Sequence, residues 1–172
     1  MSEVVNVKPL TPKSIEVRDM PAKTLAYLRH VGPYAGDAAL FGRLWGQFCQ
    51  WAGPRGVLGR PGAEAICVYH DNTDITEQAK LRISLGFTVA PGTPTDPPIN
   101  LLEIPAGKYV VAHYEIDPKD YGAAWAYVMG AWMPQSGYQP DDRPCYECFL
   151  NEPSTHPEGN HIVELRVGVK PL

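Results

Sequence analysis

Residues 15–34 read IEVRDMPAKTLAYLRHVGPY, and residues 101–118 read LLEIPAGKYVVAHYEIDP. Each carries a Pro-Ala turn, Pro21-Ala22 in the first and Pro105-Ala106 in the second, followed by an apolar run that ends in a histidine or aromatic residue. The two align at an offset of 84. A helical pattern follows each copy. Phe41, Leu44, Trp45, Phe48 and Ala52 recur at helical spacing from about Gly36 to Gly53, and Tyr121, Trp125, Val128 and Trp132 do so from about Pro118 to Met133. Gly53-Pro54 and Pro134 stand where such helices stop, and Pro118 fits a first helical turn.

Beyond each helix comes a Gly-, Pro- or Asp-rich loop and then two strand patterns. These are roughly Ala65 to Tyr69 with Leu81 to Val89, and Cys145 to Leu150 with Ile162 to Val169. AICVYHDN echoes PCYECFLNE, and Leu85-Gly86-Phe87 echoes Val167-Gly168-Val169. A repeat of this length, present twice, does not make a solenoid. The expectation is an α+β fold of two β-α-β-β repeats related by a pseudo-twofold axis. Two small antiparallel sheets would face each other, with helices on one side and a ligand cleft between the repeats. The repeats span about 15–89 and 101–172, joined by a linker at 90–100 whose Pro91 to Pro98 stretch cannot continue a strand. Each half alone would expose an apolar sheet face, so residues 1–172 are expected to form one domain.

Composition narrows the function. Of 172 residues, 44% are hydrophobic and 20% charged, as in folded soluble chains. The net charge of −4 and the scattered Lys and Arg argue against direct nucleic-acid binding, which needs clustered cations. No stretch approaches the roughly 20 apolar residues of a membrane span. MSEVVNVKPL lacks the layout of a signal peptide, so the expected location is the cytoplasm. Cys49 and Cys67 read as buried thiols. Cys145 and Cys148 form a lone C-x-x-C on a strand, where positions i and i+3 face apart. His70-Asp71, His156 and His161 have no chelating spacing. Neither a metal nor a cofactor is expected.

Glu147 is the residue that breaks the pattern. Its strand partners Cys145 and Phe149 share its face and do not seek water. It either points outward from a solvated edge strand, or it is a carboxylate on an apolar face that needs a partner, a raised pKa or a cationic ligand. The position matching it in the first half is Cys67, so the fold does not require the charge. Trp45, Trp125, Trp132 and Tyr69 are either core or the walls of an aromatic cleft around it. Such a cleft would receive a flat or cationic molecule through stacking and cation–π contact.

The segments LAYLRHVGPY, ICVYHDNTDITEQAKLRISLGFTV, IPAGKYVVAHYE, GAWMPQSGYQPDDRPCYECFLNEP and IVELRVGVKPL resemble, in that order, the GyrI-like family. The most specific pieces are Tyr69-His70-Asp71-Asn72 and the segment Pro144 to Asn151 around Glu147. The resemblance implies the same two-repeat fold, and it matches Glu147 to the acidic residue that meets cationic ligands in drug-sensing members. Some members are hydrolases of cyclopropane-bearing alkylating compounds, in which Glu147 would serve as general base. The family also includes stand-alone inhibitors of DNA gyrase, which makes gyrase a possible partner. Only about 14 residues precede Ile15, too few for a helix-turn-helix, so a stand-alone ligand-binding domain is expected.

Overall fold

The computed structural model describes residues 10–172, so the signal-peptide reading of the first residues lies largely outside what is described. The strands are β1 (Ser14–Met20), β2 (Lys23–Val31), β3 (Ala65–Tyr69), β4 (Arg82–Val89), β5 (Ile99–Ile104), β6 (Gly107–Ile116), β7 (Tyr138–Pro140), β8 (Cys145–Phe149) and β9 (His161–Pro171). Helix α1 runs Ala38–Ala52. Helix α2, Tyr121–Ala126, continues as a π-helical stretch, Tyr127–Trp132. The expected helices and strand pairs are present with ends shifted by a few residues, and β5 begins at Ile99, inside the expected linker. No described helix is long and apolar enough to cross a membrane.

Local chemistry accounts for α1. The Asp37 side chain caps its start by accepting from the Leu40 amide at 3.0 Å. Leu40, Leu44, Phe48 and Ala52, four apart, form its buried stripe, and Gly53-Pro54 ends it.

The strands differ from the expected pair of facing sheets. They form one antiparallel sheet in the order β1-β6-β9-β8-β3-β4-β2-β5, with β7 added to β9. From the central β3–β8 pair outward, the order is β4-β2-β5 on one side and β9-β6-β1 on the other. β3 and β8 pair edge to edge, so the two halves share one sheet instead of forming two.

The Pro-Ala turns do not make hairpins. β1 lies on β6 and β5 lies on β2, so each edge strand sits in the half opposite its sequence neighbour. Yet Met20 and Lys23 are three residues apart, at most about 11 Å. The sheet must therefore curl until its edges approach. That curl buries a cluster with no helix over it: Leu25, Ile66, Val68, Ile104, Tyr109, Val111, Tyr146 and Cys148. The opposite face carries α1 over Ala26, Leu28, Cys67 and Leu85, and α2 over Val110, Ala112, Leu165 and Val167.

A charge network occupies the face without helices. Arg166, 3% exposed, donates to Glu64 at 2.8 Å and to Glu164 at 2.7 Å, and its guanidinium lies 5.5 Å from the Tyr146 ring centre. Lys23 also pairs with Glu64, and the Cys148 thiol donates to Glu64 at 3.3 Å. Burial works to raise the Glu64 pKa, but the bonds from Arg166 and Lys23 outweigh it and hold the group at about 2. The network ties together residues of, or next to, β2, β3, β8 and β9.

Two stability tests follow. Gly86 allows β4 to approach β2: an added Cβ would lie 1.8 Å from the Ala26 carbonyl oxygen and 2.9 Å from the Phe48 ring. Gly86→Ala should cost about 3 kcal/mol in denaturant titration, at the upper end for overpacking because backbone is what it strikes. Arg166→Met leaves Glu64 and Glu164 without their shared cation and should cost about 3–5 kcal/mol. A loss under about 1 kcal/mol would show that the network contributes little.

Candidate functional site

Glu147 sits at the middle of β8, directly opposite Cys67 of β3. The alternation of β8 puts Tyr146 and Cys148 on the face without helices, and Cys145, Glu147 and Phe149 under α1 and α2. At 3% exposure Glu147 is not on a solvated edge, which removes that alternative.

Both carboxylate oxygens are occupied. The Tyr69 hydroxyl donates to Oε1 at 2.6 Å, and the Trp125 indole N–H donates to Oε2 at 2.8 Å. Each donor is placed by its own element: Tyr69 closes β3, and Trp125 lies one helical turn beyond Tyr121 on α2. Burial drives the Glu147 pKa up to about 7, and the two hydrogen bonds, which favour the ionised form, pull against it. Among the described residues, Glu147 has no cationic partner.

More aromatic rings gather around it. Tyr34, in the loop before α1, packs on Tyr69 with centroids 5.5 Å apart, and Tyr69 meets Trp125 edge-on at 6.4 Å. The charge of Glu147 acts on both Tyr34 and Tyr121, after burial, to raise their hydroxyl pKa values. These half-buried rings cover the carboxylate itself, which is 3% exposed.

Of the four aromatics singled out from sequence, Tyr69 and Trp125 touch the carboxylate. Trp45 lies one ring farther out, edge-on to Phe149 at 6.0 Å and to Phe87 at 6.1 Å. Trp132 lines a different, open recess with Tyr127, Ala131, Gln135 and Ser136. Trp132 ends the π-helical stretch Tyr127–Trp132 and packs, as Tyr121 and Trp125 do, against the core cluster under α2. Sequence reasoning gave no role to Tyr34, Tyr121 or His161. Tyr121 was legible as the residue four before Trp125, whereas Tyr34 and His161 reach the site only through folding. The other two histidines of interest have partners elsewhere, His70 with Ser84 at 2.8 Å and His156 with Glu115 at 2.5 Å.

A model of the GyrI-like small-molecule binding domain matches residues 13–170. The DNA gyrase inhibitor of Escherichia coli (strain K12) is 28% identical over 160 residues, covering 91% of this chain and 96% of that protein. The DNA gyrase inhibitor of Yersinia enterocolitica is 35% identical over 96 residues, which is 54% of this chain and 61% of its own length, less than two thirds of that relative. Among solved structures, the EcmrR C-terminal domain matches with a TM-score of 0.73 at 16% identity, covering 92% of this chain and 98% of that one. SAV2435 bound to tetraphenylphosphonium matches with a TM-score of 0.62 at 13% identity, covering 91% and 94%. At those identities the structures speak for the fold alone, whereas the family model spans nearly the whole sequence, Glu147 and its donors included. The chain belongs to the GyrI-like small-molecule binding domain family.

Proposed function

We propose that the chain, acting as one domain, binds a small cationic aromatic molecule at Glu147. The observation that carries this is a buried carboxylate held by two neutral donors, ringed by aromatic side chains and lacking a cation among the described residues. A charge so placed is costly to bury, and a cationic ligand would offset that cost while the rings supply stacking and cation–π contact. The complex of SAV2435 with tetraphenylphosphonium, a bulky aromatic cation, supports this ligand class.

A second use of the same group is catalytic. A carboxylate with a pKa of about 7 suits a general base at neutral pH, so hydrolysis of a strained cyclopropane ligand is the alternative. Inhibition of DNA gyrase, suggested by the names of the relatives, would use a surface contact and need not involve Glu147.

The raised pKa sets the sign of two pH effects. A folded-state value of about 7 against an unfolded 4.5 means that the folded chain holds the proton more tightly. Its contribution to stability is full below pH 4.5 and is lost as pH rises to about 7. Glu147→Gln is neutral throughout. Wild-type stability minus that of Glu147→Gln should therefore fall by on the order of 3 kcal/mol between pH 4.5 and 8, measured by denaturant titration. The difference cancels the histidines that titrate in the same window. A flat difference would place the carboxylate in water.

Ligand binding has the opposite sign, because a cation favours the ionised form. Affinity for tetraphenylphosphonium, followed by calorimetry, should weaken about tenfold from pH 8.5 to 6 in the wild type. At pH 8.5, Glu147→Gln should lose about 1–3 kcal/mol of binding and show no such pH dependence, while neutral aromatic ligands bind unchanged. Unaltered affinity for the cation in Glu147→Gln would remove Glu147 as the anchor. If binding survives but hydrolysis of a cyclopropane substrate drops about 10²–10⁴-fold, the catalytic role takes its place.

A further inference from the structure

An ionised carboxylate offers about four lone-pair positions, and Tyr69 and Trp125 fill one on each oxygen of Glu147. A third donor lies on the same helix as Trp125. Tyr121 is four residues before Trp125 on α2, so their side chains lie on the same helix face, one turn apart. The Tyr121 hydroxyl nevertheless does not bond to Glu147. It meets the Nδ1 of His161 at 2.5 Å, with the two rings edge-on at 5.4 Å.

His161 opens β9, and its ring also lies edge-on to Phe149, at 6.4 Å. Phe149 is two residues beyond Glu147 on the same face of β8, so the histidine is braced against the strand that carries the carboxylate. Proton directions follow from the chemistry. Burial, then the charge of Glu147, raises the Tyr121 pKa far above its ordinary value, so the hydroxyl stays neutral and donates. Nδ1 of His161 must then be a bare acceptor. Burial lowers the His161 pKa, against the pull of Asp117, and so favours the neutral ring that can accept.

We propose that His161 is a positioning residue of the Glu147 site: by accepting the Tyr121 hydroxyl, it keeps that donor off the carboxylate and leaves open the positions a ligand cation takes. The proposal rests on the ligand-binding function inferred above. Removing the acceptor strands a buried hydroxyl, which is unfavourable until it finds another partner. Glu147, with two positions open and already bonded to Trp125 on the same helix face, is the partner the proposal assigns to it. A third hydrogen bond would favour the ionised carboxylate and compete with the ligand for it.

The test uses His161→Phe, Tyr121→Phe, the double variant and His161→Asn in the full chain, with thermal melts as a control for folding. Phe keeps a ring against Phe149 and removes the acceptor, while Asn can supply an acceptor oxygen near the place of Nδ1. The first readout needs no ligand: the Glu147 titration, followed by the infrared band of the protonated carboxyl. His161→Phe should lower its midpoint by about half a unit or more. Tyr121→Phe and the double variant should titrate like the wild type, and His161→Asn should restore most of the shift. The second readout is tetraphenylphosphonium affinity at pH 8.5, where Glu147 is ionised in every variant. It should fall about five- to tenfold in His161→Phe and recover in the double variant.

An unchanged Glu147 titration in His161→Phe overturns the proposal. So does a double variant as impaired as His161→Phe, because a purely structural loss would persist without Tyr121's hydroxyl. If the titration shifts and is rescued as expected but the wild type does not bind the cation, the positioning role stands and the ligand class fails.

Discussion

The pairing of β3 with β8 is the constraint on which the molecule depends. It makes one sheet of two halves and places the middle of β8 where both faces are covered, by helices on one side and by the curled sheet on the other. A carboxylate at the centre of that ladder cannot reach water. Its raised pKa, its dependence on two side-chain donors and the aromatic rings around it all follow from that position.

The two faces of the sheet show what a partner cation does to a buried acid. Glu64 and Glu147 are both desolvated, and desolvation alone would raise both. Glu64 has Arg166 and Lys23 and stays ionised down to about pH 2. Glu147 has a phenol and an indole, and stands at about 7. Neutral hydrogen bonds recover only part of the hydration that a charge loses, so the cation decides the outcome. The network around Arg166 pairs its buried charges, whereas Glu147 is neutralised, among the described residues, only by a proton.

Much of this was legible in the sequence, in proportion to how local the cause was. Helix α1 follows from Leu44, Phe48, Ala52 and the Gly53-Pro54 stop. The strands follow from alternation, and Glu147 from its conflict with Cys145 and Phe149. The assignment of β1 to β6 and of β5 to β2 was not legible, because the Pro21-Ala22 and Pro105-Ala106 turns say that the chain bends and not which edge it joins. The π-helical winding of Tyr127–Trp132 was not legible either, because apolar spacing there reads equally as an α-helix. Arg166 was hidden in IVELRVGVKPL, where Glu164 and Arg166 alternate with apolar residues as on any half-exposed strand. Only the curl of the sheet buries that second face.

The distribution of constraint around Glu147 indicates which parts would yield to the ligand proposed to bind there. Behind the carboxylate, Tyr146 and Cys148 adjoin the Arg166 network, and moving β8 would disturb paired buried charges. Beside it, β3 and β9 complete the ladder on both edges of β8. In front there are side-chain rings and α2, which has six α-helical residues before its hydrogen bonding lengthens into the π stretch. Such stretches are rare in helices and recur at functional sites. Displacing Trp125 or Tyr69 breaks one hydrogen bond each, which the charge of an arriving cation can replace. Shifting β8 would break several bonds in the sheet and in the ion network without replacement. Under the proposed function, adaptation to ligand shape therefore falls to the side chains in front of Glu147, while the strand that carries the charge stays where the ladder holds it.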